Sequence, residues 1–188
     1  MITSDDILMA LRVRGSSSEF ALSFATGADI DSLASQVRDL ESAKLVRRSP
    51  LGRNGWELAE AGERRVDDVI SRLTTLQLRT LAVAYETFMV VDPLVKGMCS
   101  EWQGSAPRDT ESTVRRMRAL VEAAAGAFRD ASLAVARLQR YQERLEAAVE
   151  KVRGGDRRFV THPHVDSFHN IWFEAHEEFL LLLGRERG

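Results

Sequence analysis

One cysteine, four prolines and aromatic side chains at only 7% of 188 residues set the first limits on this chain. A single thiol, Cys99, excludes an internal disulfide framework and fits a reducing compartment. Between apolar Met98 and polar Ser100 it reads as a structural residue. No run of about 18 apolar residues occurs, which argues against a membrane span. The opening MITSDDILMA has neither the basic nor the apolar region of a secretory leader, so a cytoplasmic location is expected. Gly-rich phosphate loops, a nucleophile elbow, HExxH and CxxC are all missing. The acidic pair Glu177-Glu178 is adjacent and would diverge on a helix. Neither an enzyme nor a cofactor site is therefore expected. Strong positive charge is missing too. The net charge is −2, and residues 1–75 hold ten Lys and Arg against twelve Asp and Glu. Nucleic-acid binding would need a local basic cluster.

What the chain does have is Ala, Leu, Arg and Glu in abundance, a composition that favours helix. The stretch 28–58 is the most organised. Ile30, Leu33, Ala34, Val37, Leu40 and Ala43 recur at helical spacing, and Asp29 is placed to cap that helix. Leu45-Val46 then reads as a strand start followed by Arg47 and Arg48. Leu51-Gly52-Arg53-Asn54-Gly55 supplies a turn, and Asn54-Gly55 is a strong hairpin signal. Trp56-Glu57-Leu58 alternates as a half-buried return strand should. Upstream, Thr3 or Ser4 can cap a helix over 5–14 with Ile7, Leu8 and Leu11 inward. Gly15 stops it, Ser16–Ser18 is polar punctuation, and a second helix passes through Phe20, Ala21 and Phe24. Ala25-Thr26-Gly27 is the turn before the third helix. Helix, helix, Gly turn, helix and hairpin is the order of a winged helix-turn-helix.

The order helix, Ala-Thr-Gly turn, recognition helix, LESAKLVRR and GRNGWELAEAGERRV resembles the MarR-like winged-helix transcriptional regulators over residues 5–70. Leu40-Glu41 lies near the helix end, Leu45-Val46 enters the wing, and Ala61-Gly62 opens the following helix. Lys44 stands where that pattern has Gly, so the helix end must be capped another way. Asp31 and Asp39 sit on the helix that would face DNA. The segments MCSEWQG and HVDSFHNIWFEAHEEFLLLLGR resemble the helical back half of actinobacterial regulators of this kind. The resemblance implies double-stranded DNA as partner. On the polar face of the recognition helix, Gln36 and Arg38 would read bases and Ser32 and Ser35 would serve base or phosphate, while Arg47, Arg48 and Arg53 would contact phosphate or enter the minor groove. A winged helix serving protein contact without DNA is the rival, because fold alone does not fix function.

The remainder reads as helical: a linking helix over 60–76, then 78–91, an interruption at Asp92-Pro93, and a resumed helix over 94–102. Gly104–Pro107 reads as a loop. From Asp109 a stripe runs through Val114, Met117, Val121, Ala124, Phe128, Ala131, Val135 and Leu138 to Leu145, Val149 and Val152, with a bend at Tyr141-Gln142. That heptad period predicts long-helix packing and motivates a homodimer. Gly154-Gly155 ends it, 157–163 reads as a loop, and a last helix capped by Asp166 runs to Leu183. The expected fold is thus mainly α: a winged helix-turn-helix with a β-hairpin wing at 1–74, and an all-α bundle at 75–188 for dimerisation and small-molecule sensing.

Two candidate sites lie in that second half. Tyr85, Phe88, Met89, Trp102, His169, Trp172, Phe173 and His176 can line an apolar cavity for a small-molecule effector. Aromatic and Met stripes at helical spacing are, however, also what plain core looks like. Asp166, His169 and His176 share a helix face and can ligate metal if another helix adds a ligand. The favoured reading has no metal: Asp166 caps the helix, both histidines pack beside Trp172, Phe173 and Phe179, and loop residues His162 and His164 are solvated.

Overall fold

The first helix shows how the chain reads its own caps. Thr3 Oγ1 accepts from the Asp6 backbone N–H at 3.2 Å, and the Asp6 carboxylate accepts from the Thr3 N–H at 2.9 Å, opening α1 (Ser4–Arg14). The computed structural model describes residues 2–50, 55–104 and 109–186. It is 77% helix, with nine α-helices and one small antiparallel sheet among the described residues. None of those helices is long and apolar enough to cross a membrane. The chain divides into two compact units, Met1–Thr74 and Thr75–Gly188.

In the first unit α1 is followed by β1 (Ser17–Ser18), α2 (Glu19–Thr26) and α3 (Ile30–Ser42). Then come β2 (Val46–Arg48), β3 (Gly55–Leu58) and α4 (Glu60–Ser71). Gly27 ends α2 in the left-handed region at φ 69°, a conformation that costs glycine little. Asp29 caps α3 by accepting from the N–H groups of Asp31 and Ser32. Leu33, Val37 and Leu40 are buried, whereas Ile30 and Ala43 are exposed at the two ends of the apolar stripe. The sheet order is β1-β3-β2, both pairings antiparallel, with Arg48 opposite Trp56 and Ser17 opposite Trp56 on the other edge. Ser16–Ser18 is therefore more than punctuation: two serines form a sheet edge without any β-branched residue to announce them. The core is Ile7, Leu8, Leu11, Leu22, Leu33, Val37, Trp56 and Val66. A Cβ on Gly62 would stand 2.0 Å from the Leu45 carbonyl oxygen, so only glycine lets α4 start this close to the chain leaving α3. The hairpin turn at 51–54, Arg53 included, lies outside the described residues.

The second unit departs further from its sequence reading. The linking helix ends at Ser71, not Leu76, and α5 (Thr75–Gln103) begins after a short break. Helix α5 runs unbroken through Asp92 and Pro93 because Val91, Asp92 and Val95 are all buried and hold it in register. The heptad stripe is not one long helix. It spans α6 (Thr110–Ala134) and α7 (Gln139–Arg153), which fold back on each other; Arg118 of α6 pairs with Glu150 of α7 at 2.9 Å. The break is at Val135, extended at φ −140° and ψ 94°, and a 3-10 turn over Ala136–Leu138 leads into α7. Tyr141 and Gln142 lie inside α7 without a bend. Every named stripe residue from Val114 to Val152 is buried inside this unit, so the stripe offers no seam to a second chain. Part of the expected loop after Gly155 is α8 (Arg158–Thr161). The last helix, α9 (Phe168–Leu183), is capped by Ser167, whose hydroxyl accepts from the Asn170 N–H; Asp166 is not the cap.

Candidate functional site

The outward face of α3 is the candidate nucleic-acid surface. Ser32, Ser35 and Arg38 are exposed, while Gln36 is half-buried and donates to Ser32 Oγ at 3.3 Å. It sits at the edge of the exposed face, beside the buried side of the helix that carries Leu33, Val37 and Leu40. Arg38 is folded back, its Nε donating to the Ala34 carbonyl at 3.1 Å. Asp31 and Asp39 share the exposed face. The two described wing arginines are both held. Arg47 donates to Glu57 at 2.8 Å, with two-thirds of its side chain exposed. Arg48 lies over the Trp56 ring at 3.7 Å, and the buried Trp56 indole N–H donates to Glu19 at 3.0 Å. Hydrogen bonds from Ser49 and Arg47 hold the Glu57 carboxyl below its ordinary pKa. Arg47, Arg48 and α3 belong to one unit, and β2 leaves directly from the end of α3.

In the second unit a cavity of about 280 Å³ opens between α5 and α9. Tyr85, Met89, His169, Trp172, Phe173 and His176 line it, as the sequence pattern expects, joined by Asp92, Val95, Lys96 and Leu180. Phe88 and Trp102 do not. Phe88 is fully buried behind the wall, stacked on Trp172 at 4.3 Å, and Trp102 lies beneath the Arg157 guanidinium at 4.8 Å. Sequence spacing puts Phe88 on the right helix but cannot say which depth of the face reaches solvent. Tyr85 Oη and His176 Nε2 share a hydrogen bond of 3.1 Å. Burial raises the Tyr85 pKa. Asp92, 2% exposed, accepts from the Trp172 indole at 3.0 Å and pairs with Lys96 at 2.7 Å. The lining is mostly aromatic and apolar with a few convergent polar groups, the usual make-up of a small-molecule site.

The metal expectation meets a different arrangement. Asp166 turns to Arg144, which donates to its two oxygens at 3.0 and 2.6 Å and to Glu174 at 2.7 Å. His169 and His176 face the cavity, and His162 and His164 are exposed, as a solvated loop requires. Among the described residues no group of three or more His, Cys, Asp and Glu is arranged to hold a metal. Glu178, half of the acidic pair, is buried and accepts from Tyr141 at 2.7 Å and Arg137 at 2.5 Å. These buried ion pairs escaped the sequence reading because a charge on an amphipathic helix normally marks its wet face. Burial opposes the Arg144 charge, but hydrogen bonding to Asp166 and the charge of Glu174 outweigh it and raise its pKa. Burial, with Glu178 alongside, holds the Tyr141 hydroxyl protonated well above the ordinary tyrosine range. No family model, curated protein or solved structure matches this chain.

Proposed function

We propose that the chain is a DNA-binding transcriptional regulator of the MarR-like winged-helix kind. Its first unit would grip double-stranded DNA, and its helical unit would admit a small molecule between α5 and α9. The observation that carries this reading is the order α1-β1-α2-α3-β2-β3 with the exposed face of α3 leading directly into Arg47 and Arg48. A helix presented with short polar residues and flanked by arginines suits a major groove with phosphate on either side. The acids on α3 have a use there too, since a carboxylate can accept from the cytosine amino group. The cavity walls, aromatic with a Tyr–His hydrogen bond and an Asp–Lys pair, support an effector role for the second unit.

The test is a fluorescence titration of the full chain against the DNA flanking its own gene, at two salt concentrations. Binding should weaken as salt rises, and replacing Arg47, Arg48 and Arg53 with Ala should lower affinity for all sequences and flatten the salt slope. Unchanged affinity and slope in that folded variant would sink the wing assignment. A second reading is favoured by Phe20 and Phe24, 67% and 48% exposed and packed edge-on at 4.7 Å on α2. Such a pair suits a protein partner. Absence of salt-dependent DNA binding in the wild type would turn the assignment to that module.

A further inference from the structure

The lining of the cavity between α5 and α9 includes one carboxylate and one ammonium, and the two are held very differently. Asp92 is buried, and its carboxylate accepts from the buried Trp172 indole at 3.0 Å, which fixes both its place and its direction. Its counter-charge is Lys96, one turn further along α5 at 2.7 Å, with 63% of its side chain exposed. A lysine ammonium is a strongly hydrated point charge on a flexible four-carbon stem. Lys96 can therefore leave for water, whereas Asp92 cannot. The fixed charge that the cavity offers to an incoming molecule is negative. The other walls suit the opposite sign. Tyr85, Trp172 and Phe173 are aromatic, and the faces of such rings attract positive charge. Tyr85 already receives one cation: the Arg185 guanidinium stands 5.3 Å from its ring while pairing with Glu86 at 3.2 Å. Phe173 lines the cavity and is 46% exposed, so an aromatic ring is open to an entering ligand.

From this arrangement we propose that the cavity takes a flat aromatic cation, which displaces Lys96 from Asp92 and pairs with the carboxylate in its place. The proposal rests on the effector reading of the second unit and names the class of its ligand. An anion fares worse at the same place. Bound to Lys96, it would lie beside a buried carboxylate that cannot move away, and like charges out of water repel strongly. A neutral ring gains only the apolar walls and leaves the Asp92–Lys96 pair as it is. A cation gains the walls, the ring faces and the carboxylate together, and it releases Lys96 to full hydration. The cavity of about 280 Å³ lies near the roughly 300 Å³ at which small-molecule sites begin, which limits the occupant to two or three fused rings. Met89, unbranched and polarizable, lets the lining adapt to the ring that enters.

Isothermal titration calorimetry of the full chain without DNA tests the proposal, so its failure leaves the DNA-binding test untouched. Three probes share one shape and differ in charge: N-methylacridinium, acridine under mildly alkaline conditions where it is neutral, and acridine-9-carboxylate. The cation should bind once per chain and about tenfold tighter than acridine, and the carboxylate should bind weakest. Lys96→Met removes the competing ammonium and should tighten the cation severalfold while leaving acridine unchanged. Asp92→Asn keeps an oxygen that can accept from Trp172 and should abolish the preference for the cation. Should that variant fail to fold, Lys96→Met still decides, because a cation affinity that it lowers or leaves unchanged overturns the proposal. Tightest binding of the carboxylate, a cation preference that survives in folded Asp92→Asn, or no binding of any of the three probes overturns it equally.

Discussion

The indole N–H of Trp172 donates to the carboxylate of Asp92 at 3.0 Å, joining α9 to the middle of α5 across eighty residues of sequence. Asp92 is the residue before Pro93, where a helix ordinarily ends. Proline also removes the N–H that would bond the carbonyl of Met89, and its total cost in a helix interior is about 3 kcal/mol. Helix α5 absorbs that cost because Asp92 is anchored on both oxygens, by Trp172 and by Lys96, while Val91 and Val95 are buried on either side.

Removing the anchor should therefore hurt more than removing the proline. Asp92→Ala strands a buried indole N–H and is expected to lower stability by about 2–3 kcal/mol. Pro93→Ala restores the missing hydrogen bond at an exposed position and should raise stability, by up to about 3 kcal/mol. Urea unfolding followed by circular dichroism measures both. A destabilised Pro93→Ala would show that the ring itself is needed there.

Much of the first unit is legible in the sequence because its signals are local. Asp29, Gly27 and the Leu33–Val37–Leu40 spacing each specify their own conformation. The edge strand Ser17–Ser18 is not legible, since two serines carry no strand preference and the pairing is made by Trp56 and Gly55. In the second unit the periodicity of 114–152 correctly marks buried residues but cannot reveal a reversal at Val135. A heptad register continues through a tight hairpin as readily as along a straight helix. Six cavity residues can be named from spacing alone. Asp92 and Lys96 cannot, because Asp92 next to Pro93 looks like a helix end and a lysine on a helix normally marks its wet face. The Arg144 cluster is invisible for a different reason: its partners come from 22 and 30 residues away.

Lys44 supplies another test. It takes φ 60° directly after α3, with its N–H bonded to the Glu41 carbonyl and the Leu45 N–H to the Leu40 carbonyl. This is a glycine-type helix ending made with a side chain that costs about 1–2 kcal/mol in that conformation. Lys44→Gly should stabilise the first unit by about 1 kcal/mol, seen as a higher thermal midpoint. A lower midpoint would mean that the lysine side chain makes a contact worth more than the strain.

Arg144 is the hinge of a buried charge cluster, its side chain 9% exposed between Asp166 and Glu174. Arg144→Met leaves two carboxylates in a dry site without a counter-charge and should cost about 3–5 kcal/mol. Adding Asp166→Asn and Glu174→Gln to the same chain should recover most of that loss. Urea midpoints of the single and triple variants decide it. A triple variant no more stable than Arg144→Met would show that packing of the arginine stem, not its charge, is what α7 and α9 depend on.

Cys99 gives a prediction whose sign can be worked out in full. It is 3% exposed on the inner face of α5, and burial pushes its thiol pKa up to about 12. In the unfolded chain the thiol titrates near its ordinary value of about 8.5. Below that value both states hold the proton, and the full contribution to stability is present. Between about 8.5 and 12 the unfolded chain releases a proton that the folded chain keeps, so stability must fall as pH rises. The slope is roughly 1 kcal/mol per pH unit. Tyr85 and Tyr141, also raised by burial, add to it only above about pH 10, where free tyrosine titrates. The window from 8.5 to 10 therefore isolates the thiol. Cys99→Ala should flatten the pH dependence of the urea midpoint in that window and, above it, leave only the part of the slope that the tyrosines contribute. The same burial keeps the thiolate fraction at pH 8 near one in 10⁴. A thiol reagent should accordingly react with the native chain only at the rate of its unfolding. Rapid labelling of the folded wild type at pH 8 would place Cys99 within reach of solvent and remove the basis for the alkaline slope.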